Sequence, residues 1–121
     1  MKKIIVVDDE ADILKTMEIF FKAEGFDVRT ASDGIIALDA IRKEKPDLII
    51  LDVMLPKLDG YKICRMLKFD HRYKNIPIVI FTARAQEIDE KKAREVKADA
   101  YITKPFQPSA LLKKVKELLG M

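Results

Sequence analysis

Several things are scarce in this sequence, and each scarcity excludes a class of protein. Cys64 is the only cysteine, so no intrachain disulfide can form, and a reducing compartment, the cytoplasm, is the expectation. No long hydrophobic run occurs. The apolar stretches Ile4 to Val7, Leu48 to Leu51 and Ile78 to Phe81 fall far short of the ~20 residues of a spanning helix, so no membrane association is expected. Met1-Lys2-Lys3 leads into one of these short runs and then into Asp8-Asp9, which is not the pattern of a signal peptide. Basic blocks are also absent. The net charge is only +3, and Lys and Arg alternate with Glu and Asp along the helical stretches, so no nucleic-acid-binding face is indicated. Asn75, Gln86 and Gln107 are the only amides beside a charged fraction of 36%, a balance that leans towards heat adaptation.

What remains is a chain of 121 residues, 49% hydrophobic, enough for one domain with one well-filled interior. Three apolar runs each stop at a polar residue: Ile4-Ile5-Val6-Val7 at Asp8, Leu48-Ile49-Ile50-Leu51 at Asp52, and Ile78-Val79-Ile80-Phe81 at Thr82. Runs without polar alternation suit strands covered on both faces, as in a parallel sheet. Weaker strands are expected at Val28 to Ala31 and Ala100 to Thr103. Between the strands lie segments of helical period. Ile13, Met17, Phe20 and Phe21 form one stripe, closed by Glu24-Gly25; Ile36, Ala37, Ala40 and Ile41 form a second, closed by Pro46. Ile63, Cys64 and Leu67 share a face of the third. A fourth, around Glu87 to Val96, is poor in apolar residues and should lie mostly exposed. Leu111, Leu112, Val115, Leu118 and Leu119 make the last, ending at Gly120. Five alternations of strand and helix predict an αβα sandwich around a parallel sheet, with no repeat or linker and a single domain over 1–121.

The polar residues that end the strands are Asp8 and Asp9, Asp52, Thr82, and Thr103-Lys104. In an open parallel sheet the carboxyl ends of the strands share one edge, where ligands bind. Residues from position 8 to 104 should therefore meet in one small site. Three carboxylates brought together repel, so one must hold a proton or a cation must compensate. Lys104 supplies one positive charge, and a divalent cation would complete the balance. Oxygen-only donors favour Mg²⁺, or Mn²⁺, over zinc. Taken singly, Asp8 or Asp9 could instead cap the first helix and Asp52 a turn before Pro56.

Four motifs now stand in order: Val6-Val7-Asp8-Asp9-Glu10; Leu51-Asp52-Val53-Met54-Leu55-Pro56 with Asp59-Gly60; Phe81-Thr82-Ala83; and Tyr101-Ile102-Thr103-Lys104-Pro105-Phe106. On these motifs the sequence resembles the response-regulator receiver domain of two-component signalling, over essentially its whole length. The resemblance implies a flavodoxin-like fold with strand order 2-1-3-4-5 and five helices. It implies that Asp52 is the phosphoacceptor. Asp8, Asp9, Asp52 and the backbone carbonyl of Met54 would hold Mg²⁺. Thr82, Ala83 and Lys104 would contact the phosphoryl group, Thr82 and Tyr101 would form the switch, and Lys104-Pro105 would be a cis peptide. Met54 and Arg84, each two residues beyond a site residue, would tune the lifetime of the phosphorylated form. His71, far from the motifs, reads as a surface residue.

The implied partners are a sensor histidine kinase or histidine phosphotransfer protein and a downstream effector protein. The effector would read the surface of the fourth helix, fifth strand and fifth helix. A monomer that is a signalling phosphoacceptor, not an enzyme, is expected. A phosphatase of the aspartyl-phosphate type would carry a second acid two residues after its nucleophile, where this chain has Met54. A nucleotide-binding domain would need a glycine-rich loop where this chain has Asp8-Asp9-Glu10-Ala11. The output has two readings. Receivers of winged-helix regulators usually carry two acids before the switch aromatic and an arginine-rich last helix. Here Asp99-Ala100 keeps one acid, and Lys113, Lys114 and Lys116 stand without arginine, which favours a stand-alone receiver. The alternative is the receiver portion of a larger regulator with a DNA-binding output domain.

Overall fold

The computed structural model describes residues 1–55, 59–82, 95–103 and 107–121, with the backbone alone of Thr82. Five strands form one parallel sheet: β1 (Lys3–Val7), β2 (Asp27–Ala31), β3 (Leu48–Asp52), β4 (Ile78–Thr82) and β5 (Ala100–Thr103). Their spatial order is β2-β1-β3-β4-β5, as the resemblance implied. The described helices are α1 (Ala11–Ala23), α2 (Gly34–Glu44), α3 (Gly60–Lys68) and a C-terminal helix (Pro108–Leu119). The helix expected around Glu87 to Val96 lies outside the described residues apart from its last two positions. No described helix is long and apolar enough to cross a membrane.

The uninterrupted apolar runs are explained by two separate cores. Alternate residues of the central strands point to opposite faces. Ile5, Val7, Ile49, Leu51, Ile78 and Ile80 pack against α2 and α3, with Ala37, Ile41, Ile63, Cys64 and Leu67. Ile4, Val6, Leu48, Ile50, Val79 and Phe81 pack against α1 and the C-terminal helix, with Met17, Phe21, Leu111 and Val115. Every central-strand residue inside the strand ends must therefore be apolar. Fully burying one such side chain contributes ~1.5–3 kcal/mol. The edge strands are covered less completely, and β5 alternates between half-buried and exposed positions.

Local signals set the helix ends. Asp33 caps α2 by accepting the Ile36 N–H at 2.9 Å, and Asp59 caps α3 by accepting that of Tyr61 at 2.7 Å. Such a cap contributes about 1 kcal/mol. Gly120 closes the C-terminal helix at φ 71°, a left-handed conformation that glycine adopts without steric cost. The expected stripe of α2 holds at Ala37, Ala40 and Ile41 and fails at Ile36. Leu38 is buried, whereas Ile36 is 47% exposed. Ile36 belongs to the first turn, where its N–H is held by the Asp33 cap and its side chain faces outward.

At the amino-terminal edge a network ties α3 to two strands. The Lys68 ammonium, with its side chain 9% exposed, lies 2.8 Å from Asp99 Oδ2 and donates to the Ile76 carbonyl at 3.0 Å. Asp99 Oδ2 also accepts the Ile78 N–H at 2.8 Å. One carboxylate thus fixes the beginnings of both β4 and β5. Removing one partner of a well-buried pair costs ~3–5 kcal/mol. Asp99 is about one-third exposed, so Lys68→Ala should cost somewhat less, about 2–3 kcal/mol, read as a lower urea midpoint. Arg72→Ala, at the exposed Asp70–Arg72 pair, should leave the midpoint nearly unchanged.

Cys64 is fully buried, and burial pushes its thiol up to about 12 from the ordinary 9.0. The neutral thiol is the form the fold accepts. Its contribution is complete below the ordinary thiol pKa and is lost as pH rises towards about 12, because the unfolded chain ionises first. Ellman's reagent at mildly alkaline pH should therefore modify Cys64 only at the rate of unfolding. Fast, stoichiometric labelling of the native chain would contradict this.

Candidate functional site

The site is assembled by strand register. Val7 of β1 lies beside Leu51 of β3, Asp52 beside Phe81, and Thr82 beside Thr103. Each strand therefore ends at the same level, and the residue at or just past each end joins one rim. The rim runs across the gap between β1 and β3, where the order of strands reverses. The Asp8 N–H also donates to the Ala31 carbonyl at 3.1 Å, continuing the β1–β2 pairing one residue beyond the strand.

Three carboxylates gather there. Asp8, Asp9 and Asp52 each place an oxygen within 4.8 Å of the others. Asp8 and Asp52 are buried, and Asp9 is exposed. The two buried acids are held in the same way. Asp8 Oδ1 accepts the Glu10 N–H at 2.8 Å, and Asp52 Oδ1 accepts the Met54 N–H at 3.0 Å. Each side chain thereby shapes the loop that follows its own strand. Neither Asp8 nor Asp9 caps α1. The N-cap position is Glu10, which makes no side-chain capping bond.

Two unit charges at this separation repel by about 3 kcal/mol at an effective dielectric constant of ~20. A cluster of three, two of them buried, is a strong site for positive charge. Its donors are all oxygen, which suits a hard divalent cation. An α3 glycine supports the cluster from below. The Gly60 N–H donates to the Val53 carbonyl at 3.2 Å. A Cβ at position 60 would press on the Asp52 carbonyl oxygen and approach Val53 Cα to 2.6 Å. Only glycine lets α3 start this close to the Asp52 backbone.

Of the residues expected at the site, Asp8, Asp9 and Asp52 come together. Met54 follows Asp52 in the loop with its side chain exposed, and the Thr82 backbone ends the neighbouring strand. Ala83, Lys104 and Pro105 lie outside the described residues, as does Arg84. Tyr101, in β5, is 42% exposed and so is not a core residue. His71 is exposed, as expected. The role of Gly60 was not readable from the Asp59-Gly60 pair by itself, because close approach to Asp52 appears only once α3 is placed. Gly60→Ala should displace the loop after β3 and cost ~1–3 kcal/mol, as overpacking does. A lowered melting temperature together with shifted amide resonances at Asp52 to Met54 would establish this; an unchanged spectrum there would refute it.

Known proteins resemble this chain in sequence and fold. The response regulator receiver domain family matches residues 4–116. The alkaline phosphatase synthesis transcriptional regulatory protein PhoP of Bacillus subtilis is 47% identical over 98% of this chain, which covers 48% of that protein. The DNA-binding response regulator MtrA of Mycolicibacterium paratuberculosis is 41% identical over 98% of this chain and 51% of its own length. The chain thus spans about half the length of these relatives. The structure of the chemotaxis response regulator CheY4 of Vibrio cholerae superposes with a TM-score of 0.90 at 30% identity, covering 98% of each chain.

Proposed function

This chain belongs to the response regulator receiver domain family, and from that premise we propose that it accepts a phosphoryl group on Asp52 in a Mg²⁺-dependent reaction and signals by a change of surface. The observation that carries the proposal is the cluster of Asp8, Asp9 and Asp52 at the carboxyl edge.

Asp8, Asp9, Asp52 and the Met54 carbonyl are the groups that would hold the cation, with Mn²⁺ able to substitute. When bound, Mg²⁺ supplies positive charge against the oxygens of the transferred group. The donor is a phosphohistidine on a sensor kinase or histidine phosphotransfer protein. An Asp52 carboxylate oxygen forms a bond to phosphorus as the phosphorus–nitrogen bond breaks, and the electron pair leaves on the imidazole. A carboxylate is a weak nucleophile, so positioning does most of the work. Burial and the hydrogen bond from the Met54 N–H orient the Asp52 carboxylate. Thr82, Ala83 and Lys104 are the remaining groups assigned to the phosphoryl oxygens.

The switch couples Thr82 to Tyr101. Thr82 would bond the new oxygen and vacate space, and Tyr101, outward here, would turn in. Moving a two-state equilibrium from ~1:99 to ~99:1 takes about 5.5 kcal/mol. Two or three charge-assisted hydrogen bonds at ~1.5–3 kcal/mol each are enough. The domain is a signalling phosphoacceptor in the cytoplasm, monomeric before phosphorylation, and its output passes to a protein partner. A second reading has a specific observation behind it. The relatives PhoP and MtrA are about twice as long and are named as a transcriptional and a DNA-binding regulator, which favours a receiver portion of such a protein.

Incubation with acetyl phosphate and Mg²⁺ should add one phosphoryl group, seen by intact-protein mass spectrometry. Asp52→Ala should abolish the adduct while keeping the circular dichroism spectrum, and EDTA should suppress it in the parent. A stoichiometric adduct on Asp52→Ala would refute the assignment. Mg²⁺ at ~100 times its dissociation constant should also stabilise the fold by ~2.7 kcal/mol, an effect lost in Asp9→Asn.

A further inference from the structure

We propose that the outer stripe of α3 (Lys62, Arg65, Met66 and Phe69), joined by Lys97, is a docking surface for an acidic protein segment with an apolar anchor. Positions 62, 65, 66 and 69 lie on one face of a helix by their spacing. Phe69, the C-cap residue of α3, is 56% exposed, and Met66 is exposed beside it. Two cations converge on the Phe69 ring. The Arg65 guanidinium carbon lies 5.2 Å from its centroid, and the Lys97 ammonium lies 4.8 Å from it. Lys97 reaches this place from a left-handed backbone conformation, φ 62°, that few bulky residues adopt.

The neighbouring cations are neutralised, and these are not. Lys68 is paired with Asp99, and Arg72 with Asp70. Among the described residues, no carboxylate pairs with Lys62, Arg65 or Lys97. The surface therefore offers an apolar patch of Phe and Met ringed by positive charge. Aromatic residues and Arg are the types that dominate binding at protein interfaces. The number of charges selects among anionic partners. Sequence-independent grip on DNA uses ~6–10 phosphate contacts, and lipid-binding basic clusters hold ~4–8 cations. Three cations around a large apolar centre fit a short run of Asp and Glu flanking a hydrophobic side chain.

The centre of the surface, Phe69 with Lys97, is remote from Asp52, whereas Lys62 stands in the first turn of α3 near the loop after β3. Lys68, one residue before Phe69, bonds the Ile76 carbonyl ahead of β4, and Lys97 precedes β5. Both stand at the amino-terminal edge, one strand length or ~16 Å from the acidic rim. Docking here would be independent of phosphorylation.

The test is fluorescence anisotropy of the full chain with fluorescein-labelled peptides of about twelve residues, one alternating Glu and Asp with Leu and Phe, the other with Lys for every acid. The acidic peptide should saturate in the range of ~10–100 μM. Arg65→Glu with Lys97→Glu should weaken it about tenfold and Phe69→Ala about fivefold, while Asp52→Asn should bind as the parent does. The charge-reversed variant should still take phosphate from acetyl phosphate, and it carries the decision if Phe69→Ala proves unstable. Several outcomes would overturn the proposal: equal affinity for both peptides, no saturation by about 1 mM, or undiminished binding by the charge-reversed variant. So would tighter binding of single-stranded DNA or phosphatidylserine vesicles that the charge reversal abolishes.

Discussion

The pairing of β1 with β3 brings like charges together, and most of what this domain can do depends on that enforced crowding. Val7 beside Leu51 leaves the next residue of each strand no choice of position, so Asp8 and Asp52 meet although more than forty residues separate them. Folding the sheet therefore costs electrostatic energy at one edge, about 3 kcal/mol for a single pair at this distance. The two apolar cores are large enough to offset it, since each of the central-strand residues they bury contributes in the range of ~1.5–3 kcal/mol. The edge is thus held in a state that added positive charge improves, which is the physical basis of the cation site proposed there.

The parts of the fold legible in the sequence were those where physics leaves one solution. A strand covered on both faces has to be apolar throughout, so β1, β3 and β4 announced themselves, and their polar terminators marked the rim. The edge strands were fainter because only part of their surface is covered; Arg29 and Tyr101 point outward within them. The stripe of α2 was right at Ala37, Ala40 and Ile41 but took in Ile36 in place of Leu38, since periodicity alone does not fix the edge of a buried stripe. Gly60 and Lys68 were not legible in their roles at all. Their importance lies in approach to the backbone of Asp52 and in bonds to Asp99 and Ile76, contacts set by how α3 lies on the sheet and not by any local pattern.

Asp99 shows why counting motif residues is a weak guide to output. One acid before the aromatic of β5, where winged-helix regulators usually have two, favoured a stand-alone receiver. In the fold this carboxylate accepts from the Ile78 N–H and pairs with Lys68, so it serves the sheet from within. An acid engaged in this way says little about a partner. The relatives carry the opposite suggestion, as regulators about twice this length with a share in transcription or DNA binding.

The two ends of β4 and β5 are built for different tasks. At their amino ends, the Lys68–Asp99 network and the Asp99 N–H to Ile78 carbonyl bond at 2.9 Å hold both strands to α3. At their carboxyl ends stand Thr82 and Thr103, paired in register beside the acidic rim. In the switch proposed above, a change at the rim would rearrange the carboxyl ends of this strand pair while the clamp holds the amino ends. Tyr101, midway along β5 and half out of the surface, lies where such a change would first be felt. The amino-terminal edge, including the cationic surface around Phe69, would be kept apart from it by the same clamp. One small sheet can in this way carry a surface that changes and a surface that stays constant.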